Sequence, residues 1–115
     1  MNEQRPDIPK PGRAVRGSTT GTPIMALLDL LGRRWALRLI WELRDEPLLF
    51  RALQERCDGM SSSVLNQRVR ELRSAGIVDL GQRGYELTRE GRRLLDAFAP
   101  INAWAERWAE RERRR

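Results

Sequence analysis

One segment constrains the fold more than any other: residues 61 to 88 read as a capped amphipathic helix followed at once by a glycine-bounded hairpin. Ser61, Ser62 and Ser63 offer an N-cap, and Leu65, Val69 and Leu72 repeat at helical spacing toward Ala75. Gly76 stands where a left-handed C-terminal cap belongs. Ile77-Val78-Asp79-Leu80 and Tyr85-Glu86-Leu87-Thr88 then read as two short strands around Gly81-Gln82-Arg83-Gly84.

The flanking segments are helical. Pro23 suits a first helical turn, and Ile24, Leu27, Leu28 and Leu31 repeat until Gly32. A second helix is expected from about residue 34 to 44, with Trp35, Leu39, Ile40 and Leu43 on one face, Trp41 between faces, and Asp45, Glu46 and Pro47 closing it. An extended apolar piece over 47 to 50 leads to a helix carrying Phe50, Leu53 and Cys57, ended by Asp58-Gly59. After the hairpin, Thr88 caps a helix with Leu94, Leu95 and Phe98. Pro100 should kink that helix or start a new one, along which Ile101, Trp104 and Trp108 form an apolar stripe. The order helix, helix, extended piece, helix, turn, helix, hairpin, helix is the plan of a winged helix. Residues 1 to 21, rich in Pro, Gly and Ser-Thr-Thr, read as a flexible basic arm, and residues 22 to 115 as one domain.

Composition removes chemistries. With 22 Lys+Arg against 16 Asp+Glu and no His, the net charge is +6, and His-based nucleophile, general-base and metal sites are excluded. Cys57 is alone, so the chain has neither an intramolecular disulfide nor a thiolate metal site, and no cofactor is expected. Gly12 and Gly17 have the spacing of a phosphate-binding loop, yet Ser18 stands where Lys is needed and no strand precedes it. The apolar runs are too short for a membrane span, and the charge with no secretory segment points to the cytosol. The basic residues are all Arg but Lys10, a bias suited to phosphate and guanine.

The helix over 61 to 75 sharpens this. Opposite its apolar line stand Ser62, Ser63, Asn66, Gln67, Arg70 and Arg73, and three Arg against one Glu give it a net +2. A B-DNA major groove accepts one helix and displays edges that such side chains read.

Several stretches together resemble the HxlR-type winged helix-turn-helix transcriptional regulators of bacteria, over roughly 22 to 108. They are Ala26-Leu27-Leu28-Asp29-Leu30-Leu31-Gly32 running into Arg34-Trp35, then Pro47-Leu48-Leu49-Phe50-Arg51-Ala52-Leu53, then Asn66-Gln67-Arg68-Val69-Arg70-Glu71-Leu72 with Ala75-Gly76-Ile77-Val78, then Tyr85-Glu86-Leu87-Thr88 with Gly91, and finally Trp104. The resemblance implies a mainly α fold with a small β-hairpin, dimerising through its first and C-terminal helices. It implies a homodimer on double-stranded DNA with a two-fold-related operator. It is also compatible with a small-molecule effector of unidentified chemistry.

On this reading Ser62, Ser63, Asn66 and Gln67 approach base edges, Arg70 and Arg73 read guanine or clamp phosphates, and Ser61 belongs to the same DNA-binding set. Arg51 and Arg83 contact phosphates, the latter from a wing that is only a tight turn. The dimer stripes map onto Ile24, Leu27, Leu28 and Leu31 and onto Ile101, Trp104 and Trp108. Oxidant-sensing members resemble one another in a Cys before the Pro that opens the first helix. Here that place is Thr22, and Cys57 lies on a core-facing line. The weighed alternative is a winged-helix protein-interaction module with weak or no DNA binding; an enzyme is disfavoured because no carboxylates pair within a cleft-forming motif.

Overall fold

The computed structural model describes residues 8–12 and 21–115, forming six helices and a two-stranded sheet. Helix α1 (Pro23–Leu31) opens with Pro23 in its first turn and turns Ala26, Leu30 and Leu31 inward. The second helix, α2 (Ala36–Glu42), begins later than expected. Trp35 takes a left-handed conformation (φ 77°), so residues 32 to 35 form a turn and the expected start at 34 is corrected. Leu39, Ile40 and Leu43 are buried as the pattern requires.

Helix α3 (Phe50–Arg56) buries Leu53, and Cys57 follows it into the core. The chain reverses through Asp58 and Gly59, both at positive φ. Helix α4 (Ser62–Ser74) is capped at both ends by the residues that the sequence marks. Ser61 Oγ accepts from the amide of Val64 at 3.2 Å. At the other end Gly76 (φ 78°) lets its own amide donate to Arg73 O at 3.0 Å and the Ile77 amide donate to Leu72 O at 2.9 Å. This paired closure satisfies carbonyls that a helix end leaves without partners.

Strands β1 (Val78–Gly81) and β2 (Gly84–Leu87) pair antiparallel, Val78 facing Leu87 and Gly81 facing Gly84, around Gln82-Arg83. The extended piece before α3 joins them: Leu48 and Tyr85 exchange backbone hydrogen bonds of 2.9 and 2.8 Å. Gly84 must be glycine there, because its φ is 121° and a Cβ would lie 2.5 Å from the Leu48 carbonyl. Thr88 Oγ1 accepts from the Gly91 amide at 2.9 Å, capping α5 (Arg89–Ala97). A Cβ on Gly91 would meet Ile77 O at 2.0 Å, so the Leu87-Thr88-x-x-Gly91 pattern records how closely α5 sits on the entry to the hairpin. Helix α6 (Ala99–Arg113) starts afresh with Pro100 in its first turn, as one of the two expected outcomes for that proline.

The core gathers Leu30, Leu39, Ile40, Leu43, Leu53, Leu65, Leu72 and Val78 from the first four helices and β1, while β2 packs against it through Tyr85 and Leu87, α5 through Leu94 and Leu95, and the junction to α6 through Phe98. Most of the arm expected over 1 to 21 lies outside the described residues. Where it is described, Ile8 is buried in the core and the Gly12 amide donates to Gly21 O at 2.7 Å. The stripe on α1 divides. Ile24 (57% exposed) and Leu28 face outward, whereas Leu31 (6%) is inside the protomer and Leu27 packs against the core. The assignment of Leu31 to an outer dimer stripe is therefore corrected, while Leu27 is half-buried at its edge: helical spacing places 24 and 28 on one face and 27, 30 and 31 on its neighbour.

Candidate nucleic-acid interface

Helix α4 is held by its apolar line. Leu65, Val69 and Leu72 are buried, so the opposite face points away from the protein. Ser62, Ser63, Asn66, Gln67, Arg70 and Arg73 are all exposed there, and α3 steadies the start of the helix. Gln54 Nε2 donates to Met60 O at 2.8 Å and to Ser62 Oγ at 3.2 Å. Ser61 Oγ is engaged as the cap, which makes it the positioner of this face before it can be a reader.

The charges on α4 sort into two groups. Glu71 is buried, and its carboxylate accepts from Arg33, from Arg68 Nη1 at 2.9 Å and from Gln67 Nε2 at 3.2 Å. Arg68 Nε also donates to Arg34 O at 2.8 Å. Arg68 is thus a strut between α4 and the turn after α1, and the net +2 on the helix resolves into Arg70 and Arg73 on the open face. Sequence reasoning left this cluster out; the Arg68/Glu71 spacing of three residues was the visible signal, and Arg33, far away in the chain, was not visible as its partner. Arg73 lies 3.6 Å from Asp79 of β1, a loose, exposed pair that a phosphate can replace.

Arg51 is exposed in the first turn of α3, and Arg83 is exposed at the tip of the hairpin. The remaining expected interface residues lie elsewhere. Ile101, Trp104 (52% exposed) and Trp108 run along α6, the two indoles stacked at 5.9 Å between ring centroids. Cys57 is fully buried, and desolvation, only partly opposed by Arg38, pushes its thiol up to about 11. It is a protonated core side chain at neutral pH. Among the described residues no His, Cys, Asp and Glu cluster is placed to hold a metal, and no helix is long and apolar enough to cross a membrane.

A helix-turn-helix made by α3 and α4, followed by a hairpin and presenting a polar, basic second helix, is the architecture of a winged helix. The model of the HxlR-like helix-turn-helix family matches residues 30–113. The chain belongs to this family. Like the other HxlR-like proteins it resembles, it is a DNA-binding transcriptional regulator. It is 31% identical over 101 residues to the HTH-type transcriptional regulator YodB of Bacillus subtilis, covering 82% of this chain and 90% of YodB. The crystal structure of quinone-bound YodB superimposes with a TM-score of 0.68 at 32% identity, covering 73% of this chain and 96% of that one. The crystal structure of a possible HxlR family transcriptional factor from Thermoplasma volcanium matches with a TM-score of 0.62 at 25% identity, over 73% of this chain and 82% of the other. The HxlR-like match spans the end of α1 through the whole of α6, so it takes in the Arg33–Glu71 contact, the open face of α4 and the hairpin.

Proposed function

We propose that the protein is a homodimeric, sequence-specific regulator in which α4 of each protomer enters a major groove of a two-fold-related operator, with half-sites ~34 Å apart. The observation that carries this reading is the open face of α4. Ser62, Ser63, Asn66, Gln67, Arg70 and Arg73 stand there side by side on a helix capped at both ends, with no large apolar side chain among them. Asn66 and Gln67 have the paired donor and acceptor that recognise adenine, and Arg70 and Arg73 the fork that recognises guanine or phosphate. Arg51 and Arg83 flank α4 and contact the backbone, and Ser61 positions the helix start.

The dimer joins Ile24 and Leu28 of α1 to Ile101, Trp104 and Trp108 of α6, whose exposure in the single protomer supports a covering partner. Residues 22 to 115 form the working domain, and residues 1 to 21 an arm anchored at Ile8. The quinone bound to YodB supports a small-molecule effector for this chain too. Thr22 before Pro23 and the buried Cys57 speak for non-covalent recognition of it. The reading places the protein in the cytoplasm as a regulator without catalytic activity.

Titrating salt against a fluorescent duplex tests the DNA step. Binding must weaken linearly on a log-log plot as phosphates recover their counterions, and a bound operator must outcompete random duplex. Absence of binding to any duplex at low salt overturns the reading.

A further inference from the structure

A groove of about 440 Å³ runs between α2 and the α5–α6 junction, away from α4. Its size falls in the range of roughly 300–1,000 Å³ typical of small-molecule sites. The walls are apolar, chiefly Leu37, Trp41, Phe98 and Ile101, and the polar side chains in it are Asp96 and Asn102. Leu37 and Trp41 are exposed at 44% and 42%, large apolar surface that the protomer leaves uncovered.

The carboxylate of this groove, exposed at its edge, stands unpaired. Asp96 makes no ion pair or side-chain hydrogen bond among the described residues. The two arginines one turn before it on α5 are turned elsewhere: Arg93 pairs with Glu90 at 2.7 Å, and Arg92 donates to Arg44 O at 2.6 Å. Arg44 itself lies over the Trp41 ring at 4.2 Å, with Asp45 as its ion-pair partner. A carboxylate at the edge of an apolar groove, with no cation paired to it among the described residues, favours an incoming positive charge.

We propose that this groove binds an apolar aromatic molecule bearing a cationic nitrogen. Asp96 supplies the counter-charge, the Asn102 carbonyl accepts an N–H, and Trp41 and Phe98 hold the ring. The groove joins α2 of the DNA-binding body to α6, so an occupant sets the angle between them. Ile101 also lies on the proposed dimer face, so the groove borders that interface, and the consequence for DNA rests on the proposed dimer.

Isothermal titration of the full chain with 1-naphthylmethylamine, 1-naphthalenemethanol and 1-naphthylacetate tests it, with sedimentation of the same samples. The amine should bind about fivefold tighter than the alcohol, and the acetate most weakly. Asp96→Asn should make amine and alcohol equal, and Ala105→Trp, filling the groove from an exposed position, should abolish binding of all three while leaving the circular dichroism unchanged. Equal affinities in the parent, or a preference for the amine that survives Asp96→Asn, overturn the proposal. A dimer that binds no amine overturns the groove and leaves the dimer standing, whereas a monomer that binds the amine does the reverse.

Discussion

Arg33, in the turn after α1, donates to the buried carboxylate of Glu71 on α4, 38 residues further along the chain. Arg68 completes the cluster from the other side, and its second donor reaches Arg34 O. The helix proposed to face DNA is therefore clamped through its inner edge to the turn that carries Trp35. Glu71→Ala should leave two guanidinium groups facing each other without a counter-charge and destabilise the fold by about 2–4 kcal/mol, the lower part of the range reflecting the partial exposure of both arginines. Urea denaturation measures this. Arg68→Ala should likewise lower stability, and its folded fraction should keep its DNA affinity.

The hairpin offers a contrast between two glycines. At Gly84 an added Cβ meets backbone atoms of Leu48 at positive φ, but at Gly81 it meets only the movable carboxylate of Glu86. Gly84→Ala should cost about 2 kcal/mol or more and Gly81→Ala well under half that, read as shifts in the denaturation midpoint. Equal effects would mean that the bond between Leu48 and Tyr85 does not hold the wing.

Cys57 gives the stability a pH signature. Burial holds its folded pKa near 11, above the value of about 9 for the free thiol, so the unfolded chain loses its proton first as pH rises. Its contribution is complete below pH 9 and is lost between about pH 9 and pH 11. Comparing urea midpoints of the parent and Cys57→Ala across that window isolates it from other titrations: the gap between the two should narrow as pH rises. The native thiol should also resist iodoacetamide at neutral pH until the protein unfolds.

On α1 the two faces should respond in opposite ways. Ile24→Asp, on the outward face, should give a folded monomer by sedimentation, with unchanged circular dichroism, whereas Leu31→Asp buries a charge in the core and should prevent folding. Trp108→Glu on α6 should reproduce the Ile24→Asp result. A folded Ile24→Asp dimer would exclude this face from the interface.

Much of this was legible because the signals are local. The cap at Ser61, the left-handed Gly76, the turn around Gln82-Arg83 and the fresh start at Pro100 each depend on residues within a few positions, and each appears where the pattern puts it. What was not legible depends on distant partners. Periodicity could not tell which face of α1 meets the core, that Glu71 turns inward to meet Arg33, or that Ile8 packs into the core from outside the helical region. Trp35 in a left-handed turn is a further case, since nothing in its neighbours marks an aromatic residue for positive φ.

The open face of α4 carries the functional reading, and footprinting tests it most directly. Duplexes selected from a random library by the full chain should share a two-fold motif, and a hydroxyl-radical footprint should show two protected patches one helical turn apart. Asn66→Ala should relax base preference within each half-site, and Arg70→Ala should weaken binding by ~1–3 kcal/mol if it reads a base. Selection that returns no shared motif, or Asn66→Ala and Arg70→Ala proteins whose footprints and affinities match the parent, would contradict the assignment of α4 as the helix that reads DNA.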